Sequence, residues 1–104
     1  MFIQFRDGDN DSKIVNVNDI TIIDLHTNAQ TCDVYVRNNI APNESVSDHV
    51  ITVTTTTGNA ETFAVELADK IAASKIGGAN CFIIKASGDG ISSVVSTVAY
   101  TAGS

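Results

Sequence analysis

The sequence has no tryptophan, a single proline and few charged side chains. Charged residues make up 17% of the chain, below the roughly one quarter of an average domain, whereas hydrophobic residues make up 43%. Disordered chains combine high charge with little apolar surface, so this composition indicates a folded protein. Threonine, valine and isoleucine are abundant, and these β-branched residues favour strands. The 104 residues are enough for one domain with a single core, and we predict one domain over 1–104.

Basic residues are also few. Six Lys and Arg against 12 Asp and Glu give a formal net charge of -6. The six basic residues are scattered along the chain: Arg6, Lys13, Arg37, Lys70, Lys75 and Lys85. The phosphate backbone of a nucleic acid and an anionic membrane surface would both be repelled on average. We therefore expect neither nucleic acid nor membrane as a partner.

The chain lacks long apolar runs and has only two cysteines. No apolar stretch approaches the length of a membrane span, and the opening residues lack the basic region and apolar run of a signal peptide. These absences predict that the protein is located in the cytoplasm or in a virion. For a viral protein, the cytoplasm is that of the host cell. In a reducing compartment we expect Cys32 and Cys81 to be buried thiols, although their spacing in the sequence does not exclude a disulfide.

The hydrophobic pattern predicts an α+β fold with about seven mostly antiparallel strands and a single amphipathic helix packed on the sheet. The helix is predicted over about 60–75, where Phe63, Leu67 and Ile71 repeat every four residues on one face. Asn59 is well suited to the N-cap of this helix. Segments such as "KIVNVN" and "TCDVYVRN" alternate apolar and polar residues, which is typical of half-buried strands.

Two strand segments depart from simple alternation. In "ITIIDLHT" the apolar residues change parity, so this strand is either buried on both faces or bulged near Ile22 and Ile23. In "NCFIIKA" the residues from Cys81 to Ile84 are apolar on both faces. This pattern predicts a central strand for the second segment.

The acidic segment "DGDNDSKIVNVN" contains Asp7, Asp9 and Asp11 on alternate positions. They match the first, third and fifth ligands of an EF-hand calcium loop. The sixth position is Ser12 instead of glycine, and the twelfth is Asn18 instead of a bidentate glutamate. The flanking segments are strand-like, whereas an EF-hand loop joins helices. We therefore predict a β-turn between two strands, with a weak calcium site formed by the three aspartates as the alternative, and no other cofactor.

Asp24 and His26 are the best candidates for catalytic residues. They lie two positions apart on a predicted strand and therefore share a face, and a hairpin would bring Asp33 close to them. A carboxylate that orients an imidazole is half of a nucleophilic triad. No nucleophile motif such as Gly-x-Ser-x-Gly accompanies the pair. We therefore predict a solvated strand face at these residues, and a protein that is not an enzyme.

Two β-prone segments, 50–60 and 91–104, contain no charged residue. Sheet edges of monomeric proteins are usually protected by lysine, proline or bulges. Either both segments are interior to the sheet, or a second copy of the protein covers one of them. Because one sheet of seven strands has two edges, we predict that a second copy covers one of the segments. Thr52, Thr54 and Thr56 would then line a flat, neutral face.

These patterns predict a non-catalytic structural or interaction module that forms a homo-oligomer through its uncharged Thr- and Val-rich strands. The alternative is a small-ligand or calcium-binding domain that uses the acidic loop.

The segments "MFIQFRDG" and "VNVNDITIIDL", followed by Thr- and Val-rich strands and an Ala-rich helix, resemble small uncharacterised proteins of marine tailed phages, especially those that infect cyanobacteria. The resemblance covers most of the chain and rests on low Lys and Arg content, abundant Asn and Thr, and the compact β layout. It implies an accessory or virion-associated protein without known catalysis. It transfers no functional residue, because that group of proteins has no established site.

Overall fold

A computed structural model describes residues 2–8, 11–25, 30–38, 47–74 and 81–103. These residues form seven strands and one α-helix: β1 (Phe2–Gly8), β2 (Asp11–Asn16), β3 (Ile20–Leu25), β4 (Thr31–Val36), β5 (His49–Thr55), α1 (Ala60–Ser74), β6 (Cys81–Lys85) and β7 (Val95–Thr101). Short 3-10 helices precede β3 and β7, at Val17–Asp19 and Gly90–Val94. The prediction of an α+β fold with about seven strands and one helix is confirmed.

The strands form two sheets rather than one. The three-stranded sheet has the order β2-β1-β6, and the four-stranded sheet has the order β3-β4-β5-β7. Neighbouring strands are antiparallel except for β1 and β6, which are parallel. Two sheets have four edge strands, namely β2, β6, β3 and β7. Of the two uncharged segments, β5 is therefore interior and β7 lies at an edge.

The core lies between the four-stranded sheet and a second layer. Its largest fully buried side chains include Ile51 from β5, Phe5 and Ile84 from the three-stranded sheet, and Phe63 and Leu67 from α1. The helix contacts β3, β4 and β5, whereas β1 and β6 contact β7. The helix and the three-stranded sheet thus lie side by side against one face of the four-stranded sheet.

The helix begins where the sequence predicts and buries the predicted face. The Asn59 carbonyl accepts the first helical hydrogen bond, from Phe63 N at 2.9 Å. The Asn59 side chain does not act as the acceptor of a cap; its amide donates to Thr56 Oγ1 at 2.6 Å. Phe63 and Leu67 are fully buried, and Ile71 packs against the core. Among the described residues, no helix has the length and apolar character needed to cross a membrane.

The two irregular strand segments have different outcomes. The β3–β4 register shifts between Ile20 and Ile22, which confirms the bulge, one residue earlier than predicted. β6, predicted to be a central strand, is an edge strand of the three-stranded sheet. That prediction was wrong because Ile83, on the apolar second face of β6, is 46% exposed instead of buried.

Candidate functional site

The acidic segment joins two antiparallel strands, as predicted. β1 ends at Gly8 and β2 begins at Asp11, and these two residues are opposite each other in the ladder. Asp9 lies outside the described residues, and the side chains of Asp7 and Asp11 are likewise not described. The calcium site formed by the three aspartates therefore stays a prediction. Ile14, which lies on β2 after these aspartates, is 65% exposed.

Asp24 and Asp33 do meet on one face of the β3–β4 pair. Asp24 is exposed and lies directly opposite Asp33. Asp33 is 8% exposed, and its Oδ1 accepts a hydrogen bond from Thr52 Oγ1 at 2.9 Å. His26 lies outside the described residues, so its geometry relative to Asp24 stays a prediction. Within the described part of the chain, no group of three or more His, Cys, Asp or Glu side chains is arranged to hold a metal ion.

Cys32 is a buried, unreactive thiol rather than a nucleophile. Its side chain is fully buried, on the core side of β4. Burial raises the pKa of the Cys32 thiol to about 12, and the nearby carboxylates of Asp33 and Asp24 add to this effect. The thiolate is the reactive form of cysteine, and it is therefore nearly absent at neutral pH. Cys81 begins β6, and its side chain is not described.

The four-stranded sheet has an outward face rich in threonine. Thr31, Thr54 and Thr97 align across β4, β5 and β7, and Thr52 lies in the next row beside Asp33. Thr56 lies beyond the end of β5, so it is not part of this face. The predicted neutral face is thus present at Thr52 and Thr54, but the Asp33 carboxylate beside Thr52 interrupts it.

Edge strand β7 is the most unusual element of the surface. Its sequence, VSTVAYT, contains no charged or proline residue. Five of its seven residues are exposed: Ser96, Thr97, Ala99, Tyr100 and Thr101. On one side β7 pairs with β5 from Val95 to Thr101, with a register shift between Val95 and Thr97, and no described strand pairs with the other side. Among the described residues, one from outside the sheet bonds to the backbone of β7: Ser87 N donates to the Val95 carbonyl, at the start of the strand, at 2.9 Å.

The other three edge strands have features that hinder pairing with another chain. β3 contains Asp24 and the bulge, and β2 contains Lys13. The edge of β6 is occupied by a serine. The Ser92 hydroxyl accepts a hydrogen bond from Lys85 N at 3.3 Å and donates one to the Ile83 carbonyl at 3.2 Å. Ser92 thus satisfies two backbone groups that a neighbouring strand would otherwise bind.

A cluster of polar side chains joins the two sheets, and the sequence did not predict it. Lys13 from β2, His49 from β5 and Tyr100 from β7 lie side by side. The Lys13 ammonium is 4.7 Å from the centroid of the Tyr100 ring, and the His49 and Tyr100 ring centroids are 5.7 Å apart. These residues are far apart in the sequence and match no motif, so only the packing of the sheets reveals the cluster.

Comparison of the chain with protein-family models, with curated proteins and with solved structures finds no match.

Proposed function

We propose that this protein is a non-catalytic, self-associating module in which β7 of one copy pairs antiparallel with β7 of a second copy. The observation that supports this proposal most directly is the uncharged, exposed edge of β7. An edge strand presents a row of unpaired backbone N–H and C=O groups, and monomeric proteins normally protect such a row. The register shift of β7 is confined to its start, between Val95 and Thr97, so the part from Thr97 to Thr101 lacks the charge, the bulge or the Ser92 hydroxyl that protects the other edges.

A second copy of the chain is the partner that fits this edge best. Pairing of β7 with itself is isologous, so the same residues meet on both sides of a two-fold axis. Because β7 has no charged side chain, this axis brings no like charges together at the contact. Pairing through β3 would instead bring the Asp24 carboxylates of two copies toward each other. The product is a continuous eight-stranded sheet in which the Thr-rich outward faces of both copies lie on the same side.

The net charge of -6 on each copy opposes association at long range. Salt screens this repulsion and leaves the backbone hydrogen bonds of the strand pair in place. Dimerisation should therefore become stronger as the salt concentration rises. Together with the resemblance to small phage proteins, these features favour an accessory or virion-associated role that depends on protein surfaces.

Analytical ultracentrifugation at micromolar protein concentration tests the proposal. We expect the native chain to sediment as a dimer and Ala99→Lys, with a charge in the middle of β7, to sediment as a monomer. Ala73→Lys is the matched control, because it adds the same charge on the exposed side of α1 and should remain dimeric. A monomeric native chain, or a folded Ala99→Lys variant that still dimerises, would contradict the proposal. Thr97→Lys provides a second variant if Ala99→Lys does not fold.

A further inference from the structure

A cleft lies between β2 of one sheet and β5 and β7 of the other. Its volume is about 310 Å³, at the lower end of the range for small-molecule pockets. The buried side chains of Val36 and Ile51 line it, as do Lys13, His49 and Tyr100. A smaller cavity of about 150 Å³, which shares Lys13, Ile51 and Tyr100 with the cleft, extends to Phe5 and Val98. The cleft therefore places buried apolar side chains beside groups that can form hydrogen bonds, and both kinds of contact are available to a ligand.

Lys13 faces into the space between the sheets. It is opposite Phe5 in the β1–β2 ladder, so it shares the core-facing side of the three-stranded sheet. Its ammonium lies over the Tyr100 ring, and no carboxylate among the described residues forms an ion pair with it. Lys13 is exposed, and an ammonium that has no carboxylate partner among the described residues favours an anionic ligand. An inward-facing lysine also protects the edge of β2, and the experiment below separates the two roles.

His49 and Tyr100 add hydrogen-bond donors beside this ammonium. His49 Nδ1 accepts a hydrogen bond from Gly103 N at 2.9 Å and lies 3.1 Å from the Tyr100 hydroxyl. Because the Gly103 N–H occupies Nδ1, the neutral imidazole has its proton on Nε2. None of the described residues accepts that proton, so the Nε2–H remains available as a donor.

Glycine at position 103 makes this arrangement possible. A Cβ atom there would clash with the carbonyl oxygen of Ser47 and would lie 2.9 Å from that of Asp48. Only glycine can therefore bring its N–H to His49 at this point. The tautomer of His49 is thus fixed by the local backbone.

We propose that this cleft binds a small organic acid as its anion, with the carboxylate at Lys13, His49 and Tyr100. A carboxylate only accepts hydrogen bonds, so it complements an ammonium, an imidazole N–H and a phenol hydroxyl. The apolar part of the acid then covers Val36 and Ile51. Among the described residues that line the cleft, Asp19 is the one acidic residue, and its carboxylate would disfavour a second negative charge on the ligand. The site and the proposed β7 pairing use different groups of β7, because Tyr100 lies opposite Ile51 and shares its inward face, whereas the pairing uses the backbone edge of the strand.

NMR titration of the ¹⁵N-labelled protein with benzoate tests the proposal, with benzamide as the uncharged probe of the same shape. We expect saturable shifts at cleft residues with benzoate and none with benzamide. Lys13→Met should weaken benzoate binding about tenfold or more, the usual effect of removing a charged hydrogen-bond donor. Lys85→Met is the matched control; Lys85 is exposed on β6, is absent from the lining of the cleft, and its loss should leave the affinity unchanged.

Three results would overturn the proposal: no saturable shift with benzoate at millimolar concentration, equal binding of benzamide, or equal affinity in Lys13→Met and the native chain. Inorganic phosphate that binds as tightly as benzoate would also overturn it, because the apolar lining would then contribute nothing. If Lys13→Met does not fold, Tyr100→Phe replaces it, and we expect a several-fold loss of benzoate affinity from removal of the hydroxyl donor. If Lys13 serves only to protect the edge of β2, benzoate should show no saturable binding to the cleft.

Discussion

Asp24 on β3 lies directly opposite Asp33 on β4. Like charges at directly opposite positions of an antiparallel pair destabilise the sheet. The Asp33 carboxylate is nearly buried and accepts a hydrogen bond from Thr52, whereas Asp24 is exposed. Asp24 is therefore the member of the pair that can lose its charge without leaving a buried polar group unpaired.

Asp24→Asn should raise the free energy of unfolding by about 0.2–1 kcal/mol, because it removes the repulsion from Asp33. Urea denaturation at low salt measures the change, and the gain should shrink at high salt, where the charges are screened. Asp69→Asn is the control, since it makes the same change in net charge on the exposed side of α1. Equal effects of the two substitutions would mean that the stabilisation comes from net charge alone.

Ser92 replaces the missing neighbour of edge strand β6. Its side chain is 1% exposed and bonds to both the Lys85 N–H and the Ile83 carbonyl. Removing the hydroxyl leaves these backbone groups without that partner in a poorly hydrated place.

Ser92→Ala should lower the free energy of unfolding by about 1–3 kcal/mol, the cost of leaving buried polar groups unsatisfied. Ser93→Ala is the matched control, because the neighbouring serine is exposed and should tolerate the change within about 0.5 kcal/mol. Urea denaturation gives both values. Similar stabilities of the two variants would show that the Ser92 hydroxyl does not protect the β6 edge.

Local pattern predicted local structure well in this chain. The repeat of Phe63, Leu67 and Ile71 identified the helix, because a single buried stripe is specified by residues four apart. The parity change in "ITIIDLHT" left burial on both faces and a bulge as alternatives, and the structure has the bulge. The strand–turn–strand nature of the acidic segment followed from alternation on both sides of a polar turn.

The division into two sheets could not be predicted, because pairing between distant strands depends on the packing of the whole chain. β6 pairs in parallel with β1 from the other end of the chain. Its apolar residues predicted a central strand, yet Ile83 is exposed and a serine outside the sheet occupies its edge. The cleft was missed for the same reason: Lys13, His49 and Tyr100 come from three strands in two sheets.

The raised pKa of the Cys32 thiol makes stability depend on pH in alkaline solution. An unfolded chain releases the thiol proton at the ordinary pKa of 9.0, whereas the folded protein holds it up to a pKa of about 12. Between these values the unfolded state binds fewer protons, so the free energy of unfolding falls as pH rises. Below pH 9 the contribution is present in full.

We therefore expect the native chain to lose stability more steeply than Cys32→Ala between pH 9 and pH 11. The extra slope should approach about 1.4 kcal/mol per pH unit, the limit for one proton. Cys32→Ala leaves a cavity in the core and is less stable at neutral pH, but that cost does not vary with pH. Urea denaturation at several pH values measures the slope of the free energy of unfolding against pH for both proteins. The difference between the two slopes is due to the thiol, because the other titrating groups are common to both. If the free energies of unfolding of the native chain and Cys32→Ala fall in parallel with pH, Cys32 ionises as readily in the folded protein as in the unfolded chain. The surroundings of Cys32 would then neither exclude water nor repel the thiolate.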